Sequence, residues 1–134
     1  QIRAHAGSAT SVLTVPAGLV SAGTDKCVHL WDLTRGKRLH TYTGARDMVL
    51  GLASTSDGGF LFSGGRDGRI LVWDRRSPEP VHQLEGHEGM IHTVIVSPDG
   101  CLAASAGEDS TVRLWTLDWE YEPLASPEVP GGSR

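Results

Sequence analysis

Ser63-Gly-Gly-Arg-Asp67-Gly-Arg-Ile-Leu-Val-Trp73 is one of three segments built to a single grammar. Ser21-Ala-Gly-Thr-Asp25-Lys-Cys-Val-His-Leu-Trp31 precedes it and Ser105-Ala-Gly-Glu-Asp109-Ser-Thr-Val-Arg-Leu-Trp115 follows, each 42 residues from its neighbour. In every copy Ser stands four positions before Asp, and Asp six before Trp. A fixed period of this kind means one supersecondary unit stacked on copies of itself.

Working outward from the second segment, four short β-rich runs appear at 48–53, 60–63, 69–73 and 81–84. Between them lie Ser56-Asp57-Gly58-Gly59, Asp67-Gly68 and Ser77-Pro78-Glu79-Pro80. Asp-Gly between apolar runs is a hairpin signal, because Gly accepts the positive φ such a turn needs. The third copy matches with Ser97-Pro98-Asp99-Gly100, and the first is two residues shorter at Val15-Pro16-Ala17-Gly18. No run has helical periodicity, so the reading is all-β and antiparallel. Runs such as Ile70-Leu71-Val72-Trp73 are continuously apolar rather than alternating, as a sheet buried on both faces requires.

The net charge of −4 is unevenly placed. Residues 117–134 hold Asp118, Glu120, Glu122 and Glu128 against Arg134, which leaves the repeat body close to neutral. No basic stripe is present to neutralise phosphates, so nucleic acid is not an expected partner. No apolar run reaches membrane-spanning length, and no membrane association is expected. Cys27 and Cys101 are lone cysteines in different copies, which reads as two reduced thiols and a cytoplasmic location.

The 42-residue period, with Gly86-His87 early in a copy and Trp31-Asp32 or Trp73-Asp74 late, resembles the WD-repeat family, whose units build β-propellers. The resemblance spans residues 4–116 and implies antiparallel four-stranded blades, with repeats at about 4–44, 45–86 and 87–122. Since a ring needs roughly 4 to 8 blades, three copies form an open arc rather than a closed ring. The chain opens on Gln1 and is read as the C-terminal part of a larger propeller, completed by the remaining blades or by a second copy of the chain. Cutting a ring at blades one and three is expected to expose Val12, Leu13, Val28 and Leu30 at one end. At the other it would expose Val94, Val96, Val112 and Leu114.

The alternation Leu117-Asp-Trp119-Glu-Tyr121-Glu122 reads as a final strand with one apolar and one acidic face. It also looks like the segment after the last repeat in some large bacterial WD-repeat proteins that carry a kinase or NTPase-like module. That likeness would make the chain a regulatory or sensor part. Residues 123–134, rich in Pro and Gly, read as a tail or linker.

Ser, His and Asp recur at fixed spacings, which invites a hydrolase reading. Duplication argues against it, because a nucleophile needs one exposed site with an oxyanion hole. The family resemblance instead implies a buried hydrogen-bonded tetrad: His5, Ser21, Asp25 and Trp31 in repeat one, and His87, Ser105, Asp109 and Trp115 in repeat three. Repeat two keeps Ser63, Asp67 and Trp73, but Gly44-Ala45 replaces Gly-His, so blade two is expected to be softer, with Asp67 needing another partner. His29, His40, His82 and His92 fall in different strands and show no metal-ligand pairing, so neither a metal nor any other cofactor is expected.

Function is therefore expected to lie in partner binding on the loop face around the channel, which in this family is the face that meets proteins and peptides. The matching positions are Thr24, Lys26, Arg66 and Glu108 on one set of turns, and Ser8, Thr10, Arg46, Met48, Leu50, Met90 and His92 on the other. Met is an adaptable apolar contact and Arg a frequent anchor, so this mixture suits a peptide with an apolar anchor beside an acidic residue. A plainer reading is that Met48 and Met90 simply begin buried strands.

Overall fold

A computed structural model describes residues 1–117. Among the described residues, eleven strands fall into three antiparallel sheets. The first sheet holds β1 (Ala9–Val15), β2 (Gly18–Gly23), β3 (Val28–Asp32) and β4 (Lys37–Tyr42) in chain order. The second holds β5 (Val49–Ser54), β6 (Phe60–Gly65), β7 (Arg69–Asp74) and β8 (Pro80–Glu85), again in order. The third has three strands among the described residues, β9 (Ile91–Val96), β10 (Leu102–Gly107) and β11 (Val112–Thr116). The expected fourth strand at 117–122 lies, apart from Leu117, outside the described residues.

Each b–c hairpin, where strands two and three of a sheet meet, turns on a residue with positive φ directly after the aspartate: Lys26 (71°), Gly68 (77°) and Ser110 (68°). Only the middle copy uses glycine there. The two others accept a left-handed conformation that is unfavourable for a side chain, because the aspartate carboxylate holds the turn by accepting an amide two residues on.

Two apolar cores account for the continuous hydrophobic runs. Alternate residues of a strand point to opposite faces, and the middle sheet has a neighbour on each. Leu61, Leu71 and Trp73 pack with Val20, Val28, Leu30 and Tyr42 of the first sheet. Phe62, Ile70 and Val72 pack with Ile91, Val94, Ala103 and Leu117 on the other side. Tyr42 also staples the first two sheets: its ring lies 5.8 Å from that of Trp73, and its hydroxyl donates to Arg75 O at 2.7 Å. Burial pushes the Tyr42 phenol up to about 12, so it stays a donor across the physiological range.

The same alternation corrects the expected end faces. Leu13, Val28 and Leu30 face the middle sheet and belong to the first core, so of the four residues expected at that end only Val12 is exposed. At the other end Val94 and Val96 also face the middle sheet. The open face carries Ile95, Leu102, Val112 and Leu114, the last 76% exposed. Register explains the grouping, since Ala104 pairs with Leu114 on one side and Ile95 on the other. The two ends therefore differ in kind. One is a patch of large aliphatic side chains, and the other is occupied mostly by Ser21, His29 and Trp31, all buried beneath their own surroundings.

Burial also separates tryptophans that look equivalent in sequence. Trp73 is fully buried between two sheets, whereas Trp115 is only half-buried at the flank of the second core. Trp73→Ala should cost roughly 3–5 kcal/mol, as large aromatics lost from packed cores do, and Trp115→Ala distinctly less. Urea unfolding of both variants checks this, and equal losses would contradict the asymmetry.

Candidate functional site

In blade one the polar chain is continuous. His5 Nδ1 lies 3.0 Å from Asp25 Oδ1, His5 Nε2 lies 2.8 Å from Ser21 Oγ, and Trp31 Nε1 donates to Ser21 Oγ at 2.9 Å. A carboxylate can only accept, so Nδ1 carries the ring proton. The neutral ring then accepts the Ser21 hydroxyl proton at Nε2, while Ser21 Oγ takes the indole N–H. Every member is satisfied, as a buried network demands. Blade three repeats it with His87, Asp109, Ser105 and Trp115, at 3.1 Å from His87 Nδ1 to the carboxylate and 2.6 Å from His87 Nε2 to Ser105 Oγ.

The aspartates do further work on the loop that enters each blade. Asp25 accepts from Ala6 N, Asp67 from Arg46 N and Asp109 from Glu88 N. Burial pushes the Asp25 carboxyl up, but the Ala6 amide, His5 and the Cys27 amide outweigh it and hold the group below the usual range. Asp109 is also held low, by the Thr111 hydroxyl first, which wins over desolvation together with the Glu88 and Thr111 amides. A glycine two residues past each serine lets the loop pass close. A Cβ on Gly65 would sit 2.1 Å from Met48 O, on Gly107 2.6 Å from Met90 O, and on Gly23 2.7 Å from His5 Cγ.

Blade two solves the missing histidine differently. Arg69 is buried and reaches back with Nη2 to Asp67 Oδ2 at 3.0 Å and to Gly44 O at 3.2 Å, while Nη1 donates to Gln83 Oε1 at 2.9 Å. Trp73 Nε1 does not bond Ser63 but donates to Thr43 O at 2.8 Å. Arg69 Nε stays buried without a partner, so the replacement is not complete. The space an imidazole would fill is a tight crevice lined by Ala45, Met48, Ser63, Asp67 and Leu71. Asp67 thus has the other partner its sequence called for, which is Arg69. That partner is charged, and the strands of blade two are the most deeply buried of the three sheets. Arg69 sits two residues after Asp67, where Cys27 and Thr111 stand in the other copies. Its long side chain opposite a missing histidine was the available signal.

The loop-face residues converge in pairs. Thr24 N donates to Ser8 O, Arg66 N to Met48 O and Glu108 N to Met90 O, each at 2.9–3.0 Å. In blades one and three a side chain closes the pair from the other direction: Thr24 Oγ1 accepts from Ser8 N, and Glu108 Oε1 from Met90 N. Arg66 cannot accept, and in its blade Asp47 Oδ1 takes the Met48 amide while Arg66 Nε lies 3.9 Å from Asp47 Oδ2. Ser8, Lys26, Arg46, Arg66, His92 and Glu108 are exposed, whereas Met48, Leu50 and Met90 are half-buried. Thr10 is turned to another task. Its hydroxyl sits against both Ala22 O and Val49 O, linking β1 to β5.

His29 was separated from the tetrad in sequence, yet it stacks on His5 with ring centroids 5.1 Å apart. Donor atoms of His5, Asp25 and His29 all lie within 4.8 Å of one another. Blade two has Leu71 and blade three Arg113 at the place of His29, so this cluster is not repeated.

Sheets stacked face to face, with an aspartate-tied loop at one rim, define blades of a β-propeller. The family model described as "WD domain, G-beta repeat" matches residues 36–74 and 78–116, and the chain belongs to that family. Each match begins just before the outer strand of one sheet, β4 or β8, and ends with the third strand of the next. The sequence repeat therefore straddles two blades and links them covalently. A comparison with curated proteins found no match.

Arg69→Ala should destabilise the chain by about 3–5 kcal/mol, because it strands the Asp67 carboxylate. Ala45→His added to it should recover part of the loss by restoring the partner found in the other blades. Chemical denaturation of both variants is the check, and an Arg69→Ala loss below about 1 kcal/mol would remove Arg69 from the network.

Proposed function

We propose that the chain is a non-catalytic interaction scaffold that binds a protein or peptide on its loop face. WD40 repeats generally mediate protein–protein interaction. The observation that carries the reading to this face is the pairing of Ser8 with Thr24, Met48 with Arg66 and Met90 with Glu108. The backbone of the rim is the same in all three blades while its side chains differ, which is the arrangement of a rigid frame presenting a particular surface. In blade two that surface combines Arg46, Arg66, Met48 and Leu50. It favours an extended peptide with an acidic residue beside an apolar anchor.

The hydrolase alternative finds no support in the tetrads. Ser21 and Ser105 are each 2% exposed, and each oxygen already accepts a tryptophan N–H. The regulatory reading rests on residues 117–122, which lie almost wholly outside the described part. A reducing, cytoplasmic setting is the reading favoured by Cys27 and Cys101, which sit in turns of separate blades and form no disulfide.

A peptide array probed with the purified chain should select acidic sequences carrying one large apolar residue. Arg46→Glu with Arg66→Glu should lower that binding at least tenfold while leaving the melting temperature in place. Selection of basic peptides, or binding indifferent to the double reversal, would move the site elsewhere.

The face formed by Ile95, Leu102, Val112 and Leu114 is proposed to meet further blades of the same protein or a second copy of the chain, since patches of this kind promote association. Light scattering across a dilution series tests that: Leu114→Lys should shift the chain toward monomer. A dilution-independent monomer before any substitution would contradict the proposal.

A further inference from the structure

We propose that His5, Asp25 and His29 form a binding site for one divalent transition-metal ion of the zinc class. The donor set is two imidazole nitrogens and a carboxylate, which suits zinc with a water in the fourth position. His29 is 5% exposed, and its Nδ1 is held by Thr41 Oγ1 at 2.9 Å. Donation of Nδ1–H to that hydroxyl would leave the Nε2 lone pair for the ion. His5 offers Nδ1, which now shares its proton with Asp25.

Each histidine is thus gripped at the nitrogen the ion does not use. Thr41 holds His29, and Ser21 Oγ, 2.8 Å from His5 Nε2, holds His5. Outer partners of this sort orient metal-binding histidines and set the tautomer. When the ion binds, the ring proton of His5 moves from Nδ1 to Nε2 and is donated to Ser21 Oγ, whose own hydroxyl hydrogen must swing away from Nε2. No net proton is gained or lost by the ring. The carboxylate already stands 3.0 Å from Nδ1, close to the roughly 3.3 Å separation of two donors on one tetrahedral zinc. His29 has further to travel. Its ring is inclined only 24° to that of His5, so it must turn out of the stack to aim Nε2 at the same point.

Singularity is the second argument. The tetrads recur because the fold needs them, but the histidine pair does not recur. Blade three keeps His87 and Asp109 yet has Arg113 at the position of His29, and a cation there would repel an ion. Blade two has neither histidine, with Ala45 and Leu71 in their places. A bound ion would also pin the segment entering blade one, which carries Ser8 to the loop face.

The test uses the full chain stripped with a chelator. Titration with Co2+ followed by visible absorption, and with Zn2+ by calorimetry, should show one ion bound per chain and a raised melting temperature. His29→Leu, which installs the residue blade two uses, should abolish saturable uptake while melting like the parent without metal. Thr41→Val removes only the outer partner and should weaken binding about tenfold or more. Because His29 stacks on His5 and meets Trp31 edge-on, the melting curve of each variant without metal is what separates lost uptake from unfolding. No saturable uptake by the parent chain, or unchanged affinity in His29→Leu, would overturn the site.

Discussion

Everything at the loop rim depends on one carboxylate per blade. Asp25, Asp67 and Asp109 stand at the tips of the b–c hairpins, and each accepts amides from two directions. One amide belongs to the hairpin itself and holds its left-handed residue in place. The other belongs to the loop that enters the blade. A charged acceptor makes these bonds stronger than neutral ones, and partial burial spares them competition from water. The consequence reaches the whole rim: the positions of its backbone are fixed by the fold itself.

What lies beneath each aspartate varies, and the variation follows donor geometry. A histidine has one proton to give the carboxylate and one lone pair for a serine, so it can sit in the middle of a chain that ends on tryptophan. An arginine only donates. Arg69 can neutralise Asp67 but cannot accept from Ser63 as a histidine would, and in this blade Trp73 donates to the Thr43 carbonyl rather than to the serine. The same logic operates at the surface. Thr24 and Glu108 accept amides that Arg66 cannot, and Asp47 does so in its place. Blade two therefore differs from its neighbours in two places for one chemical reason, and both differences raise the share of arginine near its rim.

The apolar architecture imposes the other constraint. A sheet with neighbours on both sides must be hydrophobic on both, which the middle sheet is. Among the described residues, each outer sheet packs against another sheet on one side only. On the third sheet the pattern continues as though another blade followed, leaving Ile95, Val112 and Leu114 open. On the first, the equivalent face is filled with the tetrad and with His29, so it is largely polar and covered. An edge of one kind invites continuation. An edge of the other kind has room for chemistry of its own, and the unrepeated histidine pair lies there.

The period, the strands and the turns were legible in the residues themselves, because each depends on local chemistry. Tryptophans 42 apart, Asp-Gly between apolar runs and the continuous run from Ile70 to Trp73 required only near neighbours to be interpreted. The joining of loop residues such as Met48 to turn residues such as Arg66 could be placed on one face from the family's pattern, but not paired. Tertiary structure alone decided three matters. It assigned Arg69 to Asp67, because that depends on a long side chain folding back into a space that Ala45 leaves. It laid His29 against His5, 24 residues earlier, because strand register and loop path bring them together. And it chose which residues of an end strand face solvent: Leu114 and not Val94, Val12 and not Val28. Sequence alternation divides a strand into two faces, but only the packing of whole sheets determines which of the two meets a neighbour.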